Sequence, residues 1–211
     1  MMNFRVVNQA IIDTLGASAA GAFQVVGYRR QVKSAEEVKG AKRMVQSYYA
    51  AGDFPKSAGR QTGPVQHNMV FSIGLTVSAA AKVDLAAINT PGAPEASISS
   101  ALSALQEGAA EADLLFDELT DLVYQILMDG RNFDLGLTKG TISKRWVDNI
   151  RKDAPTPEGR LVVLTGTIQY SCNTVEQITG DTGTAGGIIS TVVDIDGDDT
   201  EKTGVEVDNN P

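Results

Sequence analysis

Three aspartates at alternating positions form the arrangement in this sequence that most resembles a metal site. Asp194, Asp196 and Asp198 have the spacing of the first ligands in an EF-hand loop, where carboxylate oxygens coordinate calcium. Such a loop needs glycine at its sixth position for a sharp turn and glutamate at its twelfth position as a bidentate ligand. The sequence has Asp199 and Val205 at those positions. We therefore interpret the run as a solvated acidic extension and predict no metal site.

Nucleophilic and acid–base chemistry also lacks its usual residues. The only histidine, His67, precedes an alternating strand pattern, so we interpret it as a surface or hydrogen-bonding residue. The only cysteine, Cys172, ends such a pattern and is predicted to be a buried structural thiol. Asp117 and Asp121 lie one helical turn apart, but an acid–base pair needs one buried member, and this helix face is predicted to be wet. The glycines of 180–187 match neither nucleotide-binding fingerprint, and the sequence predicts neither catalytic residues nor a cofactor.

Composition and charge argue against further classes of function. The 211-residue chain has a formal net charge of −8, whereas a nucleic-acid-binding protein needs a net basic surface. No apolar run approaches the ~20 residues of a membrane-spanning helix, and no secretory signal is visible. The sequence therefore predicts a soluble protein without a membrane partner and without specific nucleic-acid binding.

The charge is distributed unevenly along the chain. Residues 1–82 contain ten basic and four acidic residues, residues 83–130 contain nine acidic and no basic residues, and residues 131–211 contain eight basic and thirteen acidic residues. Blocks of opposite sign suit head-to-tail contacts between identical subunits. They suit an ordinary solvated surface equally well.

The elements that hold these residues are helices and strands in a mixed order. The patterns predict a helix capped by Asn3 and ended by Gly16, strands over 23–32, 42–50 and 67–81, an exposed loop over 53–63, a long helix over 97–130, and an antiparallel hairpin of 143–152 with 160–172. This order predicts an α+β fold, with a mainly antiparallel sheet and a long acidic amphipathic helix packed on one face. Residues 1–178 are expected to form this domain, and 179–211 a Gly/Thr-rich and then acidic C-terminal extension.

The strand over 67–81 alternates large apolar residues with small ones. The large residues are predicted to pack under the long helix; they are Met69, Phe71, Ile73, Leu75 and Val77. The opposite face carries Ser72, Gly74, Thr76 and Ser78. Three interpretations of this small-residue face are open: close approach by a neighbouring sheet or subunit, the lining of a pore, or a half-exposed sheet face.

The long helix is predicted to bury one stripe and expose an acidic one. The apolar stripe consists of Ile98, Leu102, Leu105, Ala109, Ala112, Leu115, Leu119, Leu122 and Ile126. The acidic stripe consists of Glu107, Glu111, Asp117, Glu118 and Asp121. Gly108 either divides this segment into two helices or lies inside one long helix at a cost of ~1 kcal/mol relative to alanine.

The order of these features resembles the tail terminator (tail completion) proteins of long-tailed bacteriophages and related neck proteins. A short helix and strand lead to a loop with GDFPKSAGRQTGP, then to the long strand, the acidic helix and RWVDNIRKDAPTPEGRLVVLTGTIQYSCNTVE. The likeness spans roughly residues 3–178 and is one of pattern, without a short signature motif. Members of the family are small α/β proteins that build a ring, typically a hexamer. The ring caps the tail tube, halts its polymerisation and presents a surface to the head connector.

The resemblance implies a structural virion protein of the tail–neck region, assembled in the host cytoplasm, rather than an enzyme. Its expected partners are further copies of itself, the tail tube protein and a head completion or connector protein, and DNA can pass through such a ring. Alternatives are a tail tube subunit, a head–tail adaptor, or a ligand-binding domain or enzyme of unassigned type.

Charged residues are predicted at the contacts with copies or partners, where basic and acidic faces would meet. They are Arg29, Arg30 and Lys33 after the strand at 23–32, Lys56 and Arg60 in the loop 53–63, Glu111, Asp117 and Asp121 on the long helix, and Asp198 and Asp199 in the extension. Trp146 is interpreted as a core residue or a subunit contact.

Overall fold

The structure is a computed structural model, which describes residues 4–26, 42–53, 65–81, 91, 94–158 and 160–176. All of them belong to the unit Met1–Ile178, and the second unit, Thr179–Pro211, lies outside the described residues. The elements are α1 (Phe4–Ser18), β1 (Gln24–Val26), β2 (Arg43–Asp53), β3 (Val65–Ala80), α2 (Glu95–Met128), a 3₁₀ turn (Gly130–Asn132), β4 (Ile142–Lys152), β5 (Thr156–Glu158) and β6 (Leu161–Glu176). The fold is α+β, as predicted.

The six strands form one sheet in the order β1-β2-β3-β6-β4, with β5 also paired to β6. Only β1 and β2 run parallel, so the sheet is mainly antiparallel. The ladder between β3 and β6 runs from Val65 opposite Glu176 to Ala80 opposite Leu161. The predicted hairpin is confirmed, but its turn lies later than expected, because Glu158 of the PTPEG segment still pairs with Leu161.

The sequence located most strands and the long helix correctly. The strands predicted over 42–50, 67–81, 143–152 and 160–172 correspond to β2, β3, β4 and β6, and the helix over 97–130 to α2. Of the strand predicted over 23–32, Gln24–Val26 is described as β1, and the remainder from residue 27 lies outside the described residues. Asn3 and the loop after Asp53 also lie outside them.

Helix α1 continues past the residue predicted to end it. Gly16 lies inside the helix, which extends to Ser18. The chain reverses afterwards, where Ala20 and Gly21 adopt φ values of 45° and 83°. A left-handed residue just after a helix is the usual way for the last carbonyl groups to find partners, and Gly21 adopts it without steric cost. The prediction that Gly16 ends the helix was therefore wrong.

Replacing Gly16 with alanine is expected to stabilise the domain by about 0.5–1 kcal/mol. A β-carbon at this position would meet no atom within 4 Å, and alanine has the higher helix propensity. Urea unfolding followed by circular dichroism measures the change. Gly21→Ala is the matched control and should lower the stability, because φ there is positive. A destabilised Gly16→Ala variant would instead place the helix end at Gly16.

Helix α2 is one continuous helix with Gly108 inside it. A β-carbon on Gly108 would lie 3.1 Å from Val162 Cγ2 and 3.3 Å from Ala81 Cβ. The glycine therefore lets the helix approach the end of β3 and the start of β6 closely. This close contact explains why glycine occurs at position 108, although glycine is unfavourable inside a helix.

The buried stripe of α2 differs in part from the predicted one. The buried residues are Ala101, Gly108, Ala112, Phe116, Leu119, Val123, Ile126 and Leu127, whereas Ile98 and Leu102 are 38% and 55% exposed. The physical reason is size, because glycine and alanine at the N-terminal contacts let the helix lie close to the sheet. A hydrophobicity pattern gives such small residues little weight.

Both helices pack on the same face of the sheet. The large residues of β3, Met69 to Val77, are almost completely buried there, as predicted. Asn8 of α1 and Ser47 of β2 form a buried polar pair on this face, with the Ser47 hydroxyl donating to Asn8 Oδ1 at 2.7 Å. Phe116 of α2 lies against Gly166 of β6. The result is a two-layer domain with a helical side and a sheet side.

Candidate assembly surfaces

The structure describes three of the ten predicted contact residues. Glu111, Asp117 and Asp121 all lie exposed on α2. The other seven lie outside the described residues; they are Arg29, Arg30, Lys33, Lys56, Arg60, Asp198 and Asp199.

The side of α2 that points away from the sheet is acidic, as predicted. We call this surface the α2 outer face; it consists of Glu107, Glu111, Leu114, Glu118 and Asp121, all of them exposed. Leu114 is 67% exposed, more than any other large apolar side chain in the described ranges. This leucine is not among the residues predicted to form a contact surface. The α2 outer face therefore combines negative charge with one apolar side chain near its middle.

Asp117 contacts its own chain rather than standing free. Its Oδ1 lies 2.8 Å from Nζ of Lys152 on β4, and Asp113 Oδ1 lies 3.1 Å from the same nitrogen. The hydrogen bond to Asp117 raises the pKa of the Lys152 ammonium group above its usual value, and Asp113 acts in the same direction. The three side chains are partly exposed, so each ion pair contributes at most about 1 kcal/mol.

The other flank of α2 is tied to the sheet in a similar way. Glu118 forms an ion pair with Arg43 of β2. Strands β3 and β6 form the centre of the sheet, with β2 on one side and β4 on the other. Because Arg43 lies on β2 and Lys152 on β4, acidic side chains of α2 are linked to both sides of this centre. These contacts fix the orientation in which α2 presents its outer face.

The opposite side of the sheet carries the small residues of β3. Ser72, Thr76 and Ser78 are buried although no described helix covers them. Longer side chains from neighbouring strands shield this strand; the Gln46 side chain of β2 lies 2.9 Å from the position of a β-carbon on Gly74. Gln169 and Thr165 of β6, on the same face, are exposed. Within the described residues this side of the sheet is therefore polar and partly exposed, with the small residues of β3 buried between their neighbours. The three interpretations of the small-residue face stay predictions.

At the edge of this sheet side, β4 presents a basic and aromatic surface. We call it the β4 outer face; it consists of Lys144, Trp146, Asp148 and Arg151. The half-buried indole of Trp146 donates from Nε1 to Asp148 at 2.5 Å, and the Lys144 ammonium lies 5.3 Å from the ring centroid. Asp148 also accepts a hydrogen bond from the Ser171 hydroxyl. Trp146 is thus held in place at the surface rather than in the core.

The two residue types best suited to chemistry are both buried. Cys172 is fully buried, as predicted, and burial raises the pKa of its thiol to about 12. His67 is only 7% exposed, which contradicts the surface alternative of its prediction and leaves the hydrogen-bonding one. His67 lies in β3 and pairs with Thr174 of β6, whose hydroxyl donates to the His67 carbonyl oxygen at 3.3 Å. β6 pairs with His67 itself, and β2 pairs with the next residue, Asn68, so both neighbouring strands flank this part of β3.

Cys172 is expected to resist thiol reagents in the native protein. At pH 8 a thiol with a pKa near 12 is ionised in only about one molecule in ten thousand, and the thiolate is the reactive form. Labelling with Ellman's reagent should therefore be at least about a hundredfold slower than in urea-unfolded protein. Fast stoichiometric labelling of the folded chain would contradict the buried position.

A shallow cleft of about 410 Å³ lies between the ends of α1 and α2 and includes Asp129 and Arg131. Hydrogen bonds from Arg131 lower the pKa of the Asp129 carboxyl to about 2. Such a group stays ionised near neutral pH and is poorly matched to proton transfer there.

Within the described ranges, no three His, Cys, Asp or Glu side chains are grouped to hold a metal ion. None of the described helices combines the length and apolar character needed to span a membrane.

The sequence matches no protein-family model, and no curated protein is significantly similar to it. Its function is therefore inferred from the two surfaces described above and from the resemblance of pattern.

Proposed function

We propose that this chain is a structural virion protein of the tail terminator type. Copies of it form a ring that caps the tail tube, halts its growth and joins it to the head connector. The ring is expected to be a hexamer, following the resemblance. Residues 3–178 build the ring, and the acidic extension, with Asp198 and Asp199, reaches a neighbouring subunit.

One observation carries this proposal: the domain has two chemically different outer sides. The helical layer presents the α2 outer face, which is acidic, and the sheet layer presents a half-exposed side with the β4 outer face at its edge. Two different surfaces suit heterologous, head-to-tail contacts, which give a ring when the rotation between neighbours closes. An isologous dimer through α2 would instead place carboxylates against carboxylates.

Electron microscopy with tail tubes distinguishes this function from its neighbours. The purified full chain should give one closed oligomer by native mass spectrometry and a single ring at each tube end. Long polymers formed by the chain alone would indicate a tube subunit. Binding to the head connector without binding to tubes would indicate a head–tail adaptor. A monomer that binds neither assembly would contradict the proposal.

Reversing Arg29 and Arg30 to glutamate is expected to weaken ring assembly strongly. These residues belong to the basic part of the sequence that is proposed to meet an acidic neighbour, and like charges at an interface repel. Sedimentation velocity should show a shift from ring to monomer, which is larger at low ionic strength. Assembly equal to that of the unaltered chain would remove this cluster from the interface.

A further inference from the structure

The α2 outer face has the form of an interface centre with a charged border. Glu107, Leu114 and Asp121 follow one another at intervals of seven residues, so two helical turns separate each pair and all three lie along one line. The line is about 21 Å long. Leu114, at its midpoint, is 67% exposed. An apolar side chain surrounded by charges is typical of an interface anchor with a polar rim.

The β4 outer face offers a complementary line. Lys144 pairs with Asn173 and Arg151 with Thr167 in the ladder with β6. Six residues of β6 therefore separate the two basic residues, a distance of about 20 Å. Trp146 lies between them and is half-buried. Trp146 pairs with Ser171, so it lies two residues of β6 from the Lys144 end and four from the Arg151 end, about 7 and 13 Å. Two basic ends with an aromatic side chain between them, over a similar length, complement the acidic line with its leucine.

Acidic residues near this line are already engaged within the chain. Asp148 accepts hydrogen bonds from Trp146 and Ser171. Asp153 lies 3.3 Å from the Arg151 guanidinium group. Of the four basic residues of Ile142–Lys152, Lys144 and Arg151 lie on the β4 outer face, whereas Arg145 and Lys152 bind groups on the helical side. With Asp148, the β4 outer face has two positive charges and one negative charge, so its net charge is opposite in sign to that of the α2 outer face, which has four carboxylates.

We infer that the α2 outer face of one copy docks on the β4 outer face of a second copy, with Leu114 against Trp146. Glu107 and Asp121 then lie near Lys144 and Arg151 of the neighbour. The occupant is a second copy because the complementary surface is part of the same chain. The two faces lie on different layers of the domain, so the contact is head-to-tail. In a pair of copies, one copy keeps a free β4 outer face and the other keeps a free α2 outer face. This inference rests on the proposed function and identifies its subunit interface.

Replacing Leu114 with aspartate tests the anchor. The variant should self-associate roughly tenfold or more weakly than the unaltered chain in a sedimentation-velocity concentration series, because a central anchor is lost and a charge is added. Leu102→Asp is the matched control, since Leu102 is an exposed leucine of the same helix outside the α2 outer face. Its association should change less than about twofold. Equal effects in both variants would overturn the inference.

A charge exchange tests the pairing of the two faces. Asp121→Lys and Arg151→Asp should each weaken self-association severalfold, and one chain with both changes should recover most of the loss. Recovery is possible within a single chain because every head-to-tail contact contains both faces. Additive losses would place the two residues in different contacts and would overturn the pairing.

The results separate this inference from the proposed function. A chain that forms rings on tube ends, with the Leu114 and Arg151 variants as competent as the unaltered protein, would keep the function and reject this interface. A chain that self-associates through these faces but ignores tail tubes would keep the interface and reject the function. A chain that stays monomeric at high concentration, alone and with tubes, would reject both.

Discussion

Replacing Gly166 with alanine is expected to lower the free energy of unfolding by about 3 kcal/mol or more. Gly166 is buried in β6, directly under α2. A β-carbon built there would overlap both the Arg151 carbonyl oxygen and the Phe116 ring. A backbone oxygen on one side and a packed aromatic ring on the other leave little room for relaxation, so the cost should lie at the upper end for overpacked sites.

Equilibrium urea unfolding, followed by far-UV circular dichroism, measures this loss. Gly130→Ala is the matched control, because a β-carbon there would meet no atom within 4 Å and its φ is not positive. The control should change the stability by less than about 0.5 kcal/mol. A Gly166→Ala variant as stable as this control would show that α2 does not lie this close to β6.

Gly108 of α2 and Gly166 of β6 both allow close contact between this helix and this strand. Gly108 allows close approach to Val162, and Gly166 allows close approach of Phe116. The helix therefore lies along β6 with little freedom to roll. Because the α2 outer face is the opposite side of this helix, its orientation depends on these two contacts. Assembly through that face would need such fixed presentation.

The fold class could be predicted because its signals are local. Alternation of large and small residues over 67–81 has only one good structural solution, a strand with a buried face. The end of α1 could not be predicted from Gly16, because the turn depends on Ala20 and Gly21 rather than on the first glycine. The stripe of α2 was misjudged by about one residue, since Leu115 and Phe116 are both apolar and only the packing against Gly166 selects between them.

The candidate surface could be predicted only where its signals are local. The exposure of Glu111 and Asp121 follows from the spacing of charges along one helix. The pairing of Asp117 with Lys152 joins residues thirty-five positions apart, and no local pattern encodes it. A signal for Leu114 was nevertheless present. It is adjacent to Leu115, and neighbouring helical residues point about 100° apart, so one of the two leucines is directed away from the core.

Replacing Phe116 with alanine is expected to lower the free energy of unfolding by about 3–5 kcal/mol. The ring is 1% exposed and is among the largest fully buried side chains. The Lys152 ammonium, which Asp113 and Asp117 hold, lies 5.5 Å from the ring centroid. Truncation removes the buried area and leaves a cavity that the helix and β6 cannot close without moving, which is the costly case for a large-to-small change.

Comparison of three alanine variants in urea unfolding makes this result specific. Leu114→Ala, at an exposed position, should cost less than about 0.5 kcal/mol. Leu115→Ala, at a partly buried position, should fall between the other two. The order Phe116, Leu115, Leu114 therefore reports the rotation of α2 about its axis. If Leu115→Ala were the most damaging variant, the helix would be rotated toward the stripe expected from the sequence, and Leu114 would no longer point squarely outward as an anchor.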